Sequence, residues 1–503
     1  LDSILAHDLG TSGNKASLYD RTGTLVALST HSYPTSTPRP GFVEQDPELW
    51  WAAVVGSTRR LLETSGLPPS SIACVTFSGQ MMGCVPVDRK GEALRPALIW
   101  ADMRSEQQAD TLAKTMPLER FYRLTGHRPS SSYTLTKLMW LRDHEPTLFK
   151  KTAKTLQAKD YIIARLTGVF ATDYSDASGT NAFDLVRKQW SREILGGVGI
   201  DLELFPDAYP SSSVVGTVTR RAAAATGLLE GTPVVIGGGD GCCAATGAGV
   251  VKQGTAYNVL GSSSWIALAT SEPVLDPAMR TFNWIHLDEK KYSPCGTMQA
   301  AGLSVEWLRK CFGDESIENL ESVVLESPAG ARNLLFLPYL LGERSPRWDA
   351  SARGAYVGLT ANHTKADLHR ALFEGIAFNL KTILLALEGG ADVDEIVLIG
   401  GGAKNRLWRQ ILADIWEKPV LVPQYLDEAT SLGAAIAGGV GVGLFPDYTV
   451  AEVFNPVQER ILPLRENTQK YRQLYPLFEE AYFGLKDTFA KLGQIQQEAS
   501  NDR

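Results

Sequence analysis

The feature that most constrains this chain is a unit that occurs twice, half a chain apart. SILAHDLGTSGNKASLYD reads as strand, Gly-polar turn and strand. GTAYNVLGSSSWIALAT repeats that order, placing Gly261 251 residues after Gly10 in a chain of 503. Such short turns also arise by coincidence, because glycine and serine dominate turns of every origin. A restart at the midpoint nevertheless favours duplication, with two domains over residues 1–250 and 251–503. A chain of this length is also expected to divide its interior between two cores. PELWWAAVVGSTRRLLETSG has helical spacing and a glycine stop, and strands alternate with helices throughout, so the class is α/β.

Charge and cysteine usage narrow the partners. The 56 acidic and 49 basic side chains leave a net charge of −7, and no dense Lys/Arg cluster interleaves with aromatics, so no nucleic-acid partner is expected. The six cysteines (Cys74, Cys84, Cys242, Cys243, Cys295 and Cys311) form no C-x-x-C pair, which fits a reducing compartment. Seven histidines without an H-E-x-x-H motif or His/Cys cluster argue against a zinc enzyme. LDSILAHDLG places no basic region before an apolar run, and no stretch of about 18 apolar residues occurs. The expectation is a cytoplasmic protein without a membrane partner.

Two facing copies of a glycine hairpin can clamp a polyphosphate from both sides, through backbone N–H groups and hydroxyls aimed into the cleft between them. A third glycine turn, VLIGGGAKNRLWRQILADI, leads from strand to helix, where a bare backbone admits a flat ring or a phosphate, or simply lets strand and helix pack. VVIGGGDGCC is more ambiguous. Gly239-x-Gly241-x-x-Ala244 formally satisfies a dinucleotide fingerprint, but it puts Asp240 where a pyrophosphate would lie and lacks an acidic residue about 20 positions on. There is no G-K-[ST] and no G-x-S-x-G. Asp240 reads either as a helix N-cap or as a catalytic base, its glycines clearing space around the reacting groups. Asp8 also ends a strand just before a glycine turn, where open α/β sheets bind ligands. One carboxylate holding Mg²⁺ through water while the other takes a hydroxyl proton is the division of labour phosphoryl transfer requires.

FSGQMMGCVPVD and ALIWADMRS present Gln80, Met81, Trp100, Asp102 and Arg104 after apolar strands. A Trp face packs on sugar C–H groups, and carboxylate or amide oxygens accept from vicinal hydroxyls. The same residues also read as core filler (Met81, Met82) and a surface ion pair (Asp102 with Arg104).

In order along the chain, DLGTSGNKASLYD, GFVEQDPELWW, SGQMMG, IWADMR, AKDYIIARLTG, TDYSDASGT, GGGDG, FLPYLLGERSP, RGAYVGLTANHTKADLHRALFEGIAF and LIGGGAKNRLWRQILADI resemble the FGGY carbohydrate kinases. The resemblance is closest to the xylulokinase-like branch. It implies two actin-like (RNase-H-like) ATPase domains flanking a central cleft, with the sugar and the catalytic aspartate on the N-terminal side and ATP on the C-terminal side. The implied reaction transfers the γ-phosphoryl of MgATP to a hydroxyl of a pentulose, D-xylulose first.

By that resemblance Asp240 is the base and Asp8 the metal-associated aspartate. Gly10, Thr11 and Ser12 form the first phosphate hairpin, Gly261 and Ser262 the second, and Gly401, Gly402 and Asn405 the adenosine side. The sugar positions are Gln80, Met81, Trp100, Asp102 and Asp240. Two residues depart from the branch: Met82 stands where it typically reads G-Q-M-H-G, and Gly241 where an amide commonly follows the aspartate. Two lost hydrogen bonds would cost a polar ligand about 1 to 3 kcal/mol each, which keeps ribulose, erythritol and gluconate open as alternatives. An actin-like nucleotide switch without a sugar is the alternative of a different class. YRQLYPLFEEAYFGLKDTFAKL is expected to dock on the body or to form a homodimer face.

Overall fold

A computed structural model of the chain describes residues 3–313 and 317–501. In the first half, β1 (Ser3–Leu9) turns through the glycine hairpin into β2 (Gly13–Asp20), which is followed by β3 (Leu25–Ser32). Helix α1 (Pro47–Ser65) starts on the Asp46 cap, with Pro47 in its first turn, and stops at Gly66, whose φ of 65° is left-handed. Strands β4 (Ile72–Gly79), β5 (Val214–Thr217), β6 (Pro233–Val235) and β7 (Gly238–Gly239) complete the sheet. Helices α2 (Ala158–Thr167), α3 (Tyr174–Ser178) and α4 (Asp240–Gly247) flank it. The strand order is β5-β6-β4-β1-β2-β3, with β7 also beside β4. Strands β1, β4, β6 and β7 run parallel, and β2 antiparallel to β1.

The second half repeats this plan with β8 (Gly254–Leu260), β9 (Ser264–Leu268), β10 (Phe282–Ile285), β11 (Tyr292–Met298), β12 (Val393–Ile399), β13 (Val420–Pro423) and β14 (Val457–Ile461). Its order is β10-β11-β9-β8-β12-β13-β14. The series β11-β9-β8-β12-β13 matches β3-β2-β1-β4-β6 in order and direction. The predicted repeat is therefore a repeat of topology as well as of sequence. Helices α5 (Lys365–Glu388), α6 (Arg406–Trp416), α7 (Ala429–Gly441) and α8 (Arg465–Asn501) belong to this half in sequence. Tyr471, Leu474, Phe478 and Tyr482 of α8 are buried in the second-half core, so the C-terminal stretch does dock on the body.

One helix leaves its own half. α7, read as ATSLGAAIAGGVG, lies against β1 and β4 of the first sheet and crosses α4. Its small residues permit that approach: a Cβ on Gly433 would stand 1.9 Å from the Cys243 carbonyl oxygen, and one on Gly247 of α4 would stand 1.7 Å from that of Ala429. A single apolar cluster consequently joins Ile4, Ala6 and Cys74 to Tyr257, Val397 and Ile399. Among the described residues no helix is long and apolar enough to cross a membrane.

Candidate active site

Parallel strands release their C-terminal ends at one place. In the first half, Leu9 pairs with Gly79 and Gly239 lies beside Gly79, so Asp8, Gly10, Met81 and Asp240 converge where β1, β4 and β7 finish. In the second half Val259 pairs with Ile399, which brings Gly261 beside the Gly400–Gly402 turn. The two hairpins are built alike. Gly10 N–H donates to the Gly13 carbonyl and Gly261 N–H to that of Ser263, both at 3.0 Å. Each glycine is half-buried, and the serines Ser12 and Ser262 are exposed.

The backbone of these turns suits a phosphate cradle. A Cβ on Gly10 or Gly261 would meet only one carbonyl oxygen, at 3.5 Å, and Gly401 faces open space. Gly402 is different: its missing Cβ makes room for Leu260, 2.5 Å from where that atom would lie. Asn405 spends its Oδ1 capping α6, accepting from Trp408 N–H at 2.8 Å. Thr11 is held from two sides, with Trp100 Nε1 donating to its Oγ1 at 2.9 Å and Gln45 Nε2 to its carbonyl at 2.6 Å.

Asp240 is the first residue of α4, and Gly239 occupies the cap position before it. The cap reading of Asp240 thus gives way to a carboxylate that accepts from Gly241 N–H at 2.7 Å through Oδ1 and lines a cavity. Burial, and next the charge of Asp8, push its carboxyl up to about 7, with the Gly241 N–H working in the opposite direction. Asp8 accepts from Ser78 Oγ at 2.9 Å, and its own carboxyl is raised by burial against the lowering pull of Ser78 and Lys15.

The glycines before Asp240 do not clear space, contrary to expectation. Gly237 has φ 67°, and a Cβ there would sit 1.8 Å from the Phe77 carbonyl oxygen. Gly238 is packed on Leu287 and Gly239 on Met81, at 2.3 and 2.6 Å from where their Cβ atoms would lie. They press the turn onto β4. Only Gly241 is open, with nothing nearer than 4.0 Å.

The cavity has a volume of about 310 Å³. Thr11, Met81, Met82, Trp100, Asp240 and Gly241 form its first-half wall, and Tyr257, Trp265, Phe282, Trp284, Cys295 and Arg344 belong to the opposite wall. Tyr257 Oη donates to the Gly241 carbonyl and accepts from Trp265 Nε1, which ties the two walls together. Arg344 makes no side-chain hydrogen bond or ion pair recorded among the described residues, and it is the one guanidinium on the cavity wall.

Two expected sugar positions do not reach the cavity. Gln80 is buried and donates through Nε2 to Gln45 Oε1 at 2.8 Å, bracing the residue that holds Thr11. Asp102 has no exposed surface, because Arg104 binds both its oxygens and Val43 N–H adds a bond at 2.6 Å. The pair is therefore buried rather than superficial. Met81 and Met82 serve both readings, buried and lining the cavity. Sequence reasoning missed the second-half wall. Trp265 lies inside the repeated unit and could have been found there as the aromatic one residue past the hairpin serines.

Residues 3–247 match the N-terminal domain, and residues 256–442 the C-terminal domain, of the FGGY family of carbohydrate kinases. A xylulose kinase of Bacillus subtilis (strain 168) is 36% identical over 487 residues, 96% of this chain and 97% of its own. A gluconokinase of the same organism is 30% identical over 507 residues, 98% of each chain. Among solved structures, a ligand-bound xylulose kinase from Lactobacillus acidophilus superposes with a TM-score of 0.93 at 29% identity, covering 98% of this chain and all of that one. A gluconate kinase from the same organism gives the same TM-score and identity over 97% of this chain and 99% of its own.

Proposed function

The chain belongs to the FGGY family of carbohydrate kinases, and from that premise we propose that it phosphorylates a pentulose, D-xylulose first, with Asp240 as the base. The observation that carries the reading is Asp240 itself: a carboxylate at the meeting point of three strand ends, lining a sugar-sized cavity and raised to about 7. A base poised near neutrality accepts a hydroxyl proton as the new bond to phosphorus forms. The N–H groups of Thr11, Ser12 and Ser262, with the serine hydroxyls, would hold the phosphates from both sides, the Gly10 and Gly261 amides being spent on closing the turns, and Gly401 leaves room for adenosine.

Asp8 has a carboxylate oxygen beyond the one Ser78 occupies, and it would hold a hydrated Mg²⁺. When bound, that ion neutralises charge on the transferring phosphoryl group. Trp100 and Trp265, on opposite walls of the cavity, would offer faces to sugar C–H groups.

A second reading, a sugar acid such as gluconate, is favoured by the unpaired Arg344 guanidinium on the cavity wall, which suits a carboxylate. The deciding experiment follows ADP release with D-xylulose, ribulose, erythritol and gluconate. Fastest turnover with D-xylulose supports the first reading and with gluconate the second. Hydrolysis indifferent to every sugar would instead indicate a nucleotide switch.

A further inference from the structure

Behind the catalytic turn lies a fully buried charge cluster that none of these steps uses. Lys159, on the first turn of α2, has no exposed side-chain surface and places Nζ 2.7 Å from Asp160, 2.9 Å from Asp173 and 3.0 Å from Asp176. Three carboxyls against one ammonium is an expensive arrangement to bury, and hydrogen bonds to the remaining oxygens must offset it. Asp173 accepts most of them, whereas the Asp176 oxygens have no hydrogen-bond partner among the described residues beyond the Lys159 contact. Asp173 Oδ2 accepts from Ser175 N–H at 2.8 Å, from Ser175 Oγ at 2.5 Å and from Ser211 Oγ at 2.8 Å.

Ser175 Oγ has a second bond, and it points at the reaction. It accepts from Gly239 N–H at 2.9 Å, the amide immediately before Asp240. The route from Lys159 to the base is thus ammonium, carboxylate, hydroxyl and backbone amide. The surroundings allow it no slack. A Cβ on Gly238 would lie 2.9 Å from Ser175 Oγ, and one on Gly79, the pairing partner of Gly239, would lie 3.0 Å from Lys159 Cβ.

We propose that Ser175 is a positioning residue for phosphoryl transfer, its hydroxyl oriented by the buried Asp173–Lys159 pair so that it fixes Gly239 and thereby the direction of the Asp240 carboxylate. The role rests on Asp240 being the base. A reacting group displaced by a fraction of an ångström loses rate without losing its ligands, so the signature is a fall in kcat with KM unchanged.

Ser211 supplies the control, because its hydroxyl donates to the same Asp173 oxygen, whereas its bond to the catalytic turn is made by its backbone carbonyl, which accepts from Gly237 N–H at 3.0 Å and is kept in Ser211→Ala. Ser175→Ala, Ser211→Ala and Asp240→Asn are assayed together with the fastest sugar of the panel, alongside thermal melting. Ser175→Ala is expected to lower kcat about tenfold, with KM for ATP and sugar within about twofold of the parent. Ser211→Ala should lose comparable melting temperature while holding kcat within about twofold. Equal effects of the two serines on kcat, or a Ser175→Ala enzyme at parental kcat beside an inactive Asp240→Asn, would overturn the positioning role alone. Turnover by Asp240→Asn near the parental rate would overturn the base assignment and the positioning role together.

Discussion

Tyr257, on the central strand of the second sheet, donates its hydroxyl proton to the carbonyl of Gly241, the residue after the candidate base, at 2.5 Å. The same oxygen accepts from Trp265 Nε1 at 2.8 Å, so the aromatic wall and the catalytic turn share one hydroxyl. Tyr257→Phe removes the partner of the half-buried Trp265 indole N–H and of the Gly241 carbonyl while preserving the ring. The expected loss is about 1 to 3 kcal/mol in transition-state stabilisation, or roughly 5- to 150-fold in kcat/KM for the sugar. Steady-state kinetics at saturating ATP read it out. A variant with unchanged kcat/KM would mean the link serves only folding.

The Asp240 carboxyl, raised to about 7, works as a base only when deprotonated, so kcat/KM should fall as pH drops through about 7. Asp8 is the second cause of that rise. Asp8→Asn removes the neighbouring charge and should move the acid limb of the profile to lower pH, with residual activity followed at high Mg²⁺. A limb that stays in place would remove Asp8 from the electrostatics of the base.

Asp240→Asn should lower kcat by roughly 10²–10⁴-fold while leaving ATP binding near the parental level. Stability should move the other way. A carboxyl whose folded pKa lies above its unfolded value binds more protons folded than unfolded in the window between the two, about 4 to 7 here, so stability falls as pH rises through it. The Asn variant carries no such charge. It should therefore melt above the parent at pH 8, and the gap should close toward pH 4 in melting curves across that range.

Much of this arrangement was legible in the sequence. The hairpins were, because strand, glycine turn and strand are local signals, and their recurrence marked the second half as a copy of the first; the strand order itself is seen only in the pairing. The crossing of α7 into the first half was not. ATSLGAAIAGGVG announces close packing but carries no mark of what it packs against, and only the contacts of Gly433 with Cys243 and of Gly247 with Ala429 show it. Asp102 was misplaced for a similar reason: a carboxylate after a Trp looks the same whether it faces a sugar or is consumed by an arginine two residues on. The second wall, spread over Tyr257, Trp265, Phe282, Trp284 and Arg344, consists of single residues on separate elements, so no run of sequence contains it.

That crossing gives a stability test independent of catalysis. A Cβ on Gly433 would lie 1.9 Å from the Cys243 carbonyl oxygen, a backbone atom that cannot swing aside. Gly433→Ala must separate α4 from α7, at a cost of about 3 kcal/mol or more. Urea denaturation should show a lower midpoint, whereas Gly401→Ala, facing open space, should leave the midpoint in place.

Met82 and Gly241 decide how well the cavity suits a pentulose, and both positions accept a polar side chain. Gly241 has no neighbour within 4.0 Å of a new Cβ, where Met81 Sδ and Tyr257 Oη lie. Met82 has φ 64°, a left-handed conformation in which histidine is more at home than methionine. Its side chain lines the cavity, so Met82→His brings an imidazole to the wall. The double variant Met82→His/Gly241→Asn adds two groups able to pair with hydroxyls and should raise kcat/KM for D-xylulose about tenfold or more. Gluconate, if it is turned over at all, should depend instead on Arg344. Arg344→Gln would then raise its KM about tenfold while changing D-xylulose kinetics by no more than a few fold. Measured on the same two sugars, the double variant and Arg344→Gln separate a pocket that lost its hydroxyl partners from one built around a carboxylate. Improvement for D-xylulose with no effect of Arg344→Gln on gluconate would leave the pentulose reading standing and remove the acid.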